Sequence, residues 1–218
     1  MNIGKFIVID GTDGSGKATQ TKLLVERLAR EGHPVRSISF PRYGQKSAGP
    51  VEEYLSGTYG TAEAVGAYRA SVLYAVDRFA ASGELRGWLD AGNIVVADRY
   101  VAANMGHQGG KIADPEERRR FLEWNDGLEY GLFGIPRPDL NLILHVPPEV
   151  SVRLMADRSK LDIHEQNLAH LKDAEACYLD IARSSAEFQL IECAPCGEIL
   201  TREQIHGLIW EAVAPLLG

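Results

Sequence analysis

Short apolar runs alternate with longer segments of mixed character along the chain. Strand-length runs occur at "KFIVID" (5–10), "VRSISF" (35–40), "NIVVAD" (93–98), "LNLILHV" (140–146) and "FQLIEC" (188–193). Continuous apolar runs of this length, rich in β-branched residues, are typical of strands that are buried on both faces of a parallel sheet. The pattern therefore predicts five parallel strands.

The segments between these runs have helical periodicity. In residues 18–31, Leu23, Leu24 and Leu28 place apolar side chains on one face, and Gly32 follows where the helix is expected to end. Strands that alternate with helices predict an α/β fold. We expect a doubly wound, five-stranded parallel sheet between two layers of helices, three layers in all.

Polar segments follow three of the predicted strands at the point where each strand ends. These segments are residues 10–17, 40–43 and 98–108. Ligands of open α/β sheets bind beyond the carboxyl ends of the strands. We therefore expect the functional site at this edge of the sheet.

Composition favours one domain and argues against two classes of partner. The chain has 218 residues, 45% of them hydrophobic, without a Pro/Gly/Ser-rich linker, which predicts a single domain over residues 1–218. No apolar run approaches the roughly 20 residues that a membrane helix needs, so no membrane contact is expected. A net charge of −7 argues against a nucleic-acid partner, although a few cations in a cleft can still bind a nucleotide.

The three cysteines do not form an evident disulfide framework, which fits a reducing compartment and predicts a cytoplasmic protein. Cys193 and Cys196 have a CxxC spacing. A zinc site would need two more ligands, and only Cys177 and His206 lie near in sequence. We therefore interpret the cysteines as structural.

The segment "GTDGSGKATQ" (11–20) joins the first predicted strand to the first predicted helix. Gly11, Gly16 and Lys17 have the G-x-x-x-x-G-K spacing of a phosphate-binding loop in the context that this motif requires. In such a loop, backbone N–H groups surround phosphate oxygens and the lysine reaches the β and γ phosphates. The alternative is a Gly-rich connecting turn. Ala18 stands where a Ser or Thr hydroxyl usually binds Mg²⁺.

Two short motifs follow neighbouring strands. In "DRY", Asp98 can face a magnesium ion and Arg99 can bind a phosphate bidentately, although an Asp–Arg pair that caps a strand is common. In "FPRYG", Arg42 and Tyr43 lie at the same edge, unless the motif is only a turn. Pro41 stiffens this turn, and the trans isomer is expected.

Two longer segments are ambiguous when taken alone. Tyr74 and Arg78 are four residues apart in the helical stretch 68–79, so they share a face and could stack on a base and bind its edge. Aromatic residues at this spacing usually belong to the core. The charged segment 153–166 would ordinarily be a solvated surface, but in a phosphate-transferring enzyme it could close over the polyphosphate and exclude water.

Together these segments resemble the bacterial kind of thymidylate kinase, a family that phosphorylates dTMP to dTDP with MgATP. The family's marks occur in order as "DGTDGSGKATQ", "FPRYG", "LYAVDR", "DRYVAANMGHQGGK", "LFGIPRPDL", and "LDIHEQ" followed by "CYLDIA". The resemblance extends to about residue 185. It implies a P-loop NTP hydrolase type of fold with a short lid at about residues 153–166, ATP and dTMP as ligands, Mg²⁺ as cofactor, and a homodimer.

The resemblance also implies roles for individual residues. Tyr74 would stack on thymine, with Arg78 and Asn104 at its polar edge. The ATP-binding residues would be Gly11, Asp13, Gly14, Ser15, Gly16, Lys17, Ala18 and Thr19. The residues around the acceptor would be Asp13, Phe40, Tyr43, Tyr74, Arg78, Arg99, Asn104, His107 and Gln108. The metal would be near Asp13, Asp98 and Glu165. The catalytic residues would be Lys17, Asp98, Arg99 and, from the lid, Arg153 and Arg158.

Three positions depart from the family's pattern. Ala103 replaces a serine, His107 replaces a Tyr or Phe, and Ala18 replaces the hydroxyl of the phosphate loop. The aromatic residue at the second position commonly crowds the place of a 2′-hydroxyl, so His107 bears on sugar discrimination. At the third position, a water can replace the hydroxyl if a carboxylate such as Asp98 anchors the hydrated ion.

Two alternatives to a dTMP kinase stay open from the sequence. One is a kinase for another nucleoside monophosphate, such as dUMP. The other is a nucleotide-binding protein that has lost catalysis, with Ala18 as the lesion.

Overall fold

Five strands lie where the apolar runs predict them, in a computed structural model that describes residues 4–155 and 168–217. The strands are β1 (Lys5–Gly11), β2 (Val35–Ser39), β3 (Ile94–Asp98), β4 (Leu140–His145) and β5 (Phe188–Glu192). The α-helices are α1 (Lys17–Arg30), α2 (Gly49–Leu55), α3 (Ala62–Asp90), α4 (Val101–Gly109), α5 (Pro115–Asp126), α6 (Pro148–Met155), α7 (Leu168–Ser184) and α8 (Arg202–Val213). A π-helical turn spans Gly127–Leu132, and 3₁₀ turns span Lys46–Ala48, Pro195–Gly197 and Ala214–Leu216.

The strands form one parallel sheet in the order β2-β3-β1-β4-β5. The chain winds from β1 toward the β2 edge and later crosses β1 to reach β4. The carboxyl end of β1 therefore lies where the winding reverses, which is the usual ligand site of such sheets. The predicted fold class is confirmed.

Alternate residues of β1 face opposite layers of helices. Phe6 and Val8 pack in the cluster that includes residues of α3, α4 and α7, whereas Ile7 and Ile9 pack in the cluster that includes residues of α1 and α8. All four side chains are fully buried. Because both faces of the strand are buried, its sequence is a continuous apolar run rather than an alternating one.

Two glycines permit close packing near the carboxyl edge. Gly11 has a φ of 134°, and a Cβ at this position would overlap the carbonyl oxygen of Leu144 on β4. A Cβ on Gly106 of α4 would overlap the ring of Tyr178 on α7. These contacts hold the phosphate loop against β4 and α4 against α7.

The structure tests two predictions from the sequence, which concern the isomer of Pro41 and the role of the cysteines. The Phe40–Pro41 peptide bond is cis, so the expected trans isomer is wrong. That expectation came from the general frequency of trans X-Pro bonds, which carries no information about the tertiary surroundings. Cys177 and Cys193 are buried free thiols, as expected of packing residues, whereas Cys196 is exposed.

The predicted lid, residues 153–166, lies almost entirely outside the described residues, which include only its first three positions. The lid stays a prediction. Among the helices that the structure describes, none combines the length and apolar character needed to cross a membrane.

Candidate active site

The phosphate-binding loop runs from the end of β1 to the start of α1. Its Lys17 is buried, and its Nζ donates hydrogen bonds to the carbonyl oxygens of Gly11 (3.1 Å) and Thr12 (2.8 Å). Burial, together with the nearby Arg99 guanidinium, lowers the pKa of Lys17 to about 8. The lysine is thus folded over its own loop, where a phosphate group can replace the two carbonyl oxygens as its partner.

A buried cluster of Arg99, Asp13 and His107 lies beside this loop. Nη2 of Arg99 donates to Oδ1 of Asp13 at 2.6 Å, and its Nη1 lies 3.4 Å from Nε2 of His107. Burial lowers the pKa of His107 to about 3, so the ring is neutral. Since a guanidinium only donates, Nε2 is the acceptor and Nδ1 carries the proton.

Asp13 is ionised in this cluster. Burial alone would raise its pKa, but the cationic side chains of Arg99 and Lys17 hold the pKa of Asp13 well below its usual range. Its Oδ2 lies 3.9 Å from Nε2 of His107. Because the imidazole is neutral, this contact is not an ion pair, and Arg99 is the main partner of Asp13.

The backbone of Arg99 has a φ of 67°, in the left-handed region that favours glycine. This conformation costs on the order of 1 kcal/mol or more and persists only where its surroundings enforce it. Here the Arg99 N–H donates to the carbonyl of Ile9 (2.9 Å), and the next N–H, that of Tyr100, donates to Asp10 (3.0 Å). The sheet edge therefore dictates the direction of Arg99.

Asp10 is the main structural residue that sequence reasoning missed. Its fully buried carboxylate accepts hydrogen bonds from the N–H of Gly11 (2.9 Å), the N–H of Tyr100 and the hydroxyl of Tyr178 (2.8 Å). It joins the phosphate loop, the segment after β3 and helix α7. The only signal in the sequence was a charged residue at the end of an apolar run.

A cleft of about 570 Å³, partly continuous with solvent, opens next to the cluster. Its lining residues are Asp13, Phe40, Pro41, Tyr43, Leu55, Tyr74, Arg78, Arg99, Ala103, Asn104, His107 and Gln108. Every residue that the family resemblance implied around the acceptor is in this set. The structure therefore brings together residues from the phosphate loop, α2, α3, α4 and the turns after β2 and β3.

The floor of the cleft is a buried polar network centred on Glu129, in the π-helical turn. The guanidinium of Arg78 contacts both carboxylate oxygens through Nε, each at 3.1 Å, and forms a further contact through Nη2. Nδ2 of Asn104 donates to Glu129 at 3.2 Å. Sequence reasoning missed Glu129 because nothing near it in the sequence indicates a buried partner.

Tyr74 packs against another aromatic side chain and also borders the cleft, whereas its predicted stacking on a base stays a prediction. Its ring packs edge-on against Tyr54, with the centroids 6.2 Å apart, and it also lines the cleft. Tyr43, by contrast, is 62% exposed at the mouth of the cleft. Because Tyr74 lines the cleft, it is more than a packing residue of the core.

Asp98 faces a separate space, which is also lined by Ala18, Thr21 and Ser39. Burial raises the pKa of Asp98, against the opposing effect of Arg99 and Lys17. Within residues 4–155 and 168–217, no group of three or more His, Cys, Asp or Glu side chains could hold a metal ion. Asp13 lines the cleft and Asp98 lines this second space, and the predicted metal site stays a prediction.

A single carboxylate still fits Mg²⁺ here. This ion usually keeps several waters and binds one or two carboxylates together with substrate phosphates. Asp98 lies beside Ala18, where the loop hydroxyl is missing. The residues present are therefore compatible with a hydrated magnesium ion.

Of the two lid arginines predicted to be catalytic, the structure describes Arg153. It is exposed at the end of α6, and its Nη2 donates to the carbonyl of Gly197 (3.3 Å). In the part of the chain that the structure describes, it makes no hydrogen bond to the phosphate loop. Arg158 and the predicted metal ligand Glu165 lie outside the described residues.

A family model described as thymidylate kinase matches residues 9–203. The chain belongs to the thymidylate kinase family. A thymidylate kinase of Mycobacterium tuberculosis is 30% identical to it over 171 residues, which are 78% of this chain and 79% of that protein.

The fold agrees with a solved thymidylate kinase structure from Candida albicans. The two align with a TM-score of 0.77 at 22% identity, over 98% of this chain and 92% of the other. At this identity the likeness shows the fold alone. The predicted fold type and the resemblance to thymidylate kinases are both confirmed.

Proposed function

We propose that this member of the thymidylate kinase family transfers the γ-phosphoryl group of ATP to dTMP and forms dTDP and ADP. The observation that carries the proposal is the position of Arg99. Its Nη2 lies 2.6 Å from Oδ1 of Asp13 in the phosphate loop, and its side chain also lines the cleft. A phosphoryl donor on the loop and an acceptor in the cleft would then meet at one guanidinium.

The reaction proceeds mainly by positioning and charge stabilisation, with no covalent intermediate. Lys17 and the loop amides, including those of Ser15 and Thr19, hold the ATP phosphates. Arg99 releases part of its contact with Asp13 and binds the acceptor phosphate through its planar fork, with Tyr43 beside it. Arg153 and Arg158 contact the transferred group from the lid.

Mg²⁺ accompanies ATP and neutralises charge on the phosphates. Asp98 would hold it together with waters, one of which takes the place of the hydroxyl that Ala18 lacks. Asp13 and Glu165 are the further candidate ligands.

The acceptor lies in the cleft with its base against Tyr74. Arg78 and Asn104 face the polar edge of the base, Phe40 lines the sugar, and His107 and Gln108 follow Asn104 on α4. With Tyr74, all six side chains border the cleft. The neutral state of His107 supports contact with a sugar hydroxyl, because a neutral imidazole can donate through Nδ1.

A homodimer is part of the proposal. Tyr68, Val72, Val76 and Phe79 follow one another at helical spacing on α3 and are 36–51% exposed. Contiguous exposed apolar surface of this kind is typical of protein contacts. A second copy of the chain would cover this face. The free thiols fit a reducing, cytoplasmic location.

The test is kcat/KM for dTMP, dUMP, dCMP, AMP and GMP, measured by ADP release with saturating ATP and Mg²⁺. The proposal predicts the highest value for dTMP and little ADP release without an acceptor. Turnover of AMP or GMP with none of dTMP would assign another monophosphate kinase. Equal ADP release with and without dTMP would favour a protein that has lost the transfer reaction.

A further inference from the structure

Glu129 contacts both side chains that face the edge of the base. It binds Arg78 through Nε and Nη2, and it accepts a hydrogen bond from Asn104, although it does not itself line the cleft. We propose that Glu129 is a positioning residue that makes the cleft specific for pyrimidines with an N3–H donor and an O4 acceptor. The inference rests on the proposed function, because it assigns base specificity to the same cleft.

The orientation of the Asn104 amide follows from its surroundings. Its Nδ2 lies near three acceptor oxygens, which are the carbonyl of Ser71 (3.1 Å), Oε1 of Glu129 (3.2 Å) and Oδ1 of Asn125 (3.5 Å). If the amide were flipped, Oδ1 of Asn104 would face these three acceptor oxygens and no hydrogen bond could form. The NH₂ group therefore points into the protein and Oδ1 toward the cleft, where it accepts no hydrogen bond from the described residues.

Arg78 supplies hydrogen-bond donors, whereas Asn104 supplies an acceptor. A guanidinium has five N–H donors. Nε–H and one Nη2–H bind Glu129, and one Nη1–H binds the carbonyl of Tyr100 (3.3 Å), which leaves two N–H groups. Arg78 lines the cleft, although its side chain is only 2% exposed, and the proposal assigns these two remaining donors to the ligand.

The cleft thus presents an acceptor from Asn104 and donors from Arg78. Thymine and uracil match this pattern through N3–H and O4. Cytosine has an acceptor at N3 and an amino group at C4, so it is mismatched at both positions, and sites built around such hydrogen bonds reject the wrong partner strongly. Discrimination against cytosine follows from the orientation that Glu129 fixes.

The location of Glu129 supports a functional rather than a stabilising role. It is fully buried, and replacing a buried ion pair by apolar side chains is often neutral or stabilising. It also lies in a π-helical turn, Gly127–Leu132, and such turns occur frequently at functional sites.

The test is the ratio of kcat/KM for dTMP to that for dCMP in Glu129→Gln. The glutamine amide can donate to Oδ1 of a flipped Asn104, so Glu129→Gln weakens the preference for the observed orientation, which Ser71 and Asn125 then support alone, and Arg78 loses its counter-charge. The ratio should fall by about tenfold or more, mainly through KM for dTMP, while KM for ATP is unchanged. Glu123→Gln is the matched control, because Glu123 pairs with Arg119 on the exposed face of α5 at 2.6 Å.

An unchanged dTMP to dCMP ratio in a folded Glu129→Gln protein would overturn the inference, whatever its stability. If that variant does not fold, Glu129→Asp keeps the charge but withdraws the carboxylate from Asn104. It should still lower the ratio, and an unchanged ratio there would overturn the inference as well. Absence of dTMP turnover in the wild type would instead overturn the proposed function, and the inference with it.

Discussion

Removing the hydroxyl of Tyr178 tests whether Asp10 anchors the site. This hydroxyl donates to Oδ1 of Asp10 at 2.8 Å, and both residues are almost completely buried, at 1% and 0% exposure. In Tyr178→Phe, Oδ1 retains only the N–H of Gly11, while Oδ2 retains the N–H of Tyr100. Water cannot readily replace the lost donor in a packed interior.

The magnitude follows from the charge of the acceptor. A hydrogen bond to a charged group contributes about 1.5–3 kcal/mol, against about 0.5–1.5 kcal/mol for a neutral pair. Tyr100→Phe is the matched control, because the Tyr100 hydroxyl donates to the neutral carbonyl of Pro136 at 3.1 Å. Tyr178→Phe should therefore lower the free energy of unfolding by about 1 kcal/mol more than Tyr100→Phe.

Urea unfolding followed by circular dichroism measures both variants, and the slope with denaturant should be unchanged. Because Asp10 also fixes Gly11 of the phosphate loop, Tyr178→Phe should raise KM for ATP as well. If Tyr178→Phe costs no more than Tyr100→Phe, Asp10 does not have the anchoring role assigned to it.

Three further experiments test the site. Arg99→Lys should depress kcat/KM for dTMP strongly, because lysine lacks the planar fork. Arg119→Lys is the control and should leave kcat/KM unchanged, because Arg119 is also 2.6 Å from a carboxylate but is exposed. Equal effects of the two substitutions would remove Arg99 from the site. Tyr74→Leu should weaken dTMP binding, measured by calorimetry, by about 1–3 kcal/mol with ATP binding little changed; unfolding instead would support a purely structural role. Measured as kcat against Mg²⁺ concentration, Ala18→Ser should change kcat by less than about tenfold, whereas Asp98→Asn should lower kcat far more. An increase of kcat by orders of magnitude in Ala18→Ser would mean that the phosphate loop is impaired in the natural chain.

The parts of the fold that could be predicted depend on local pattern. β1 was identified because Phe6 and Ile7 face opposite cores, so both positions must be apolar. Lys17 was identified because the phosphate loop is a fixed spacing between a strand and a helix. In both cases the physical constraint acts within a few residues of the chain.

The parts that could not be predicted depend on partners far apart in sequence. Arg78 and Glu129 are separated by 51 positions, and Asp10 and Tyr178 by 168. A buried charge is tolerated only when it is paired, but the sequence does not indicate which partner the fold brings to it.

The most direct test of the central claim follows the phosphoryl group itself. The protein is incubated with ATP labelled at the γ position, Mg²⁺ and dTMP, and the nucleotides are separated. The account predicts that the label appears in dTDP, and that almost none is released as inorganic phosphate when dTMP is omitted. Label released as inorganic phosphate at the same rate with and without dTMP, with none in dTDP, would contradict it.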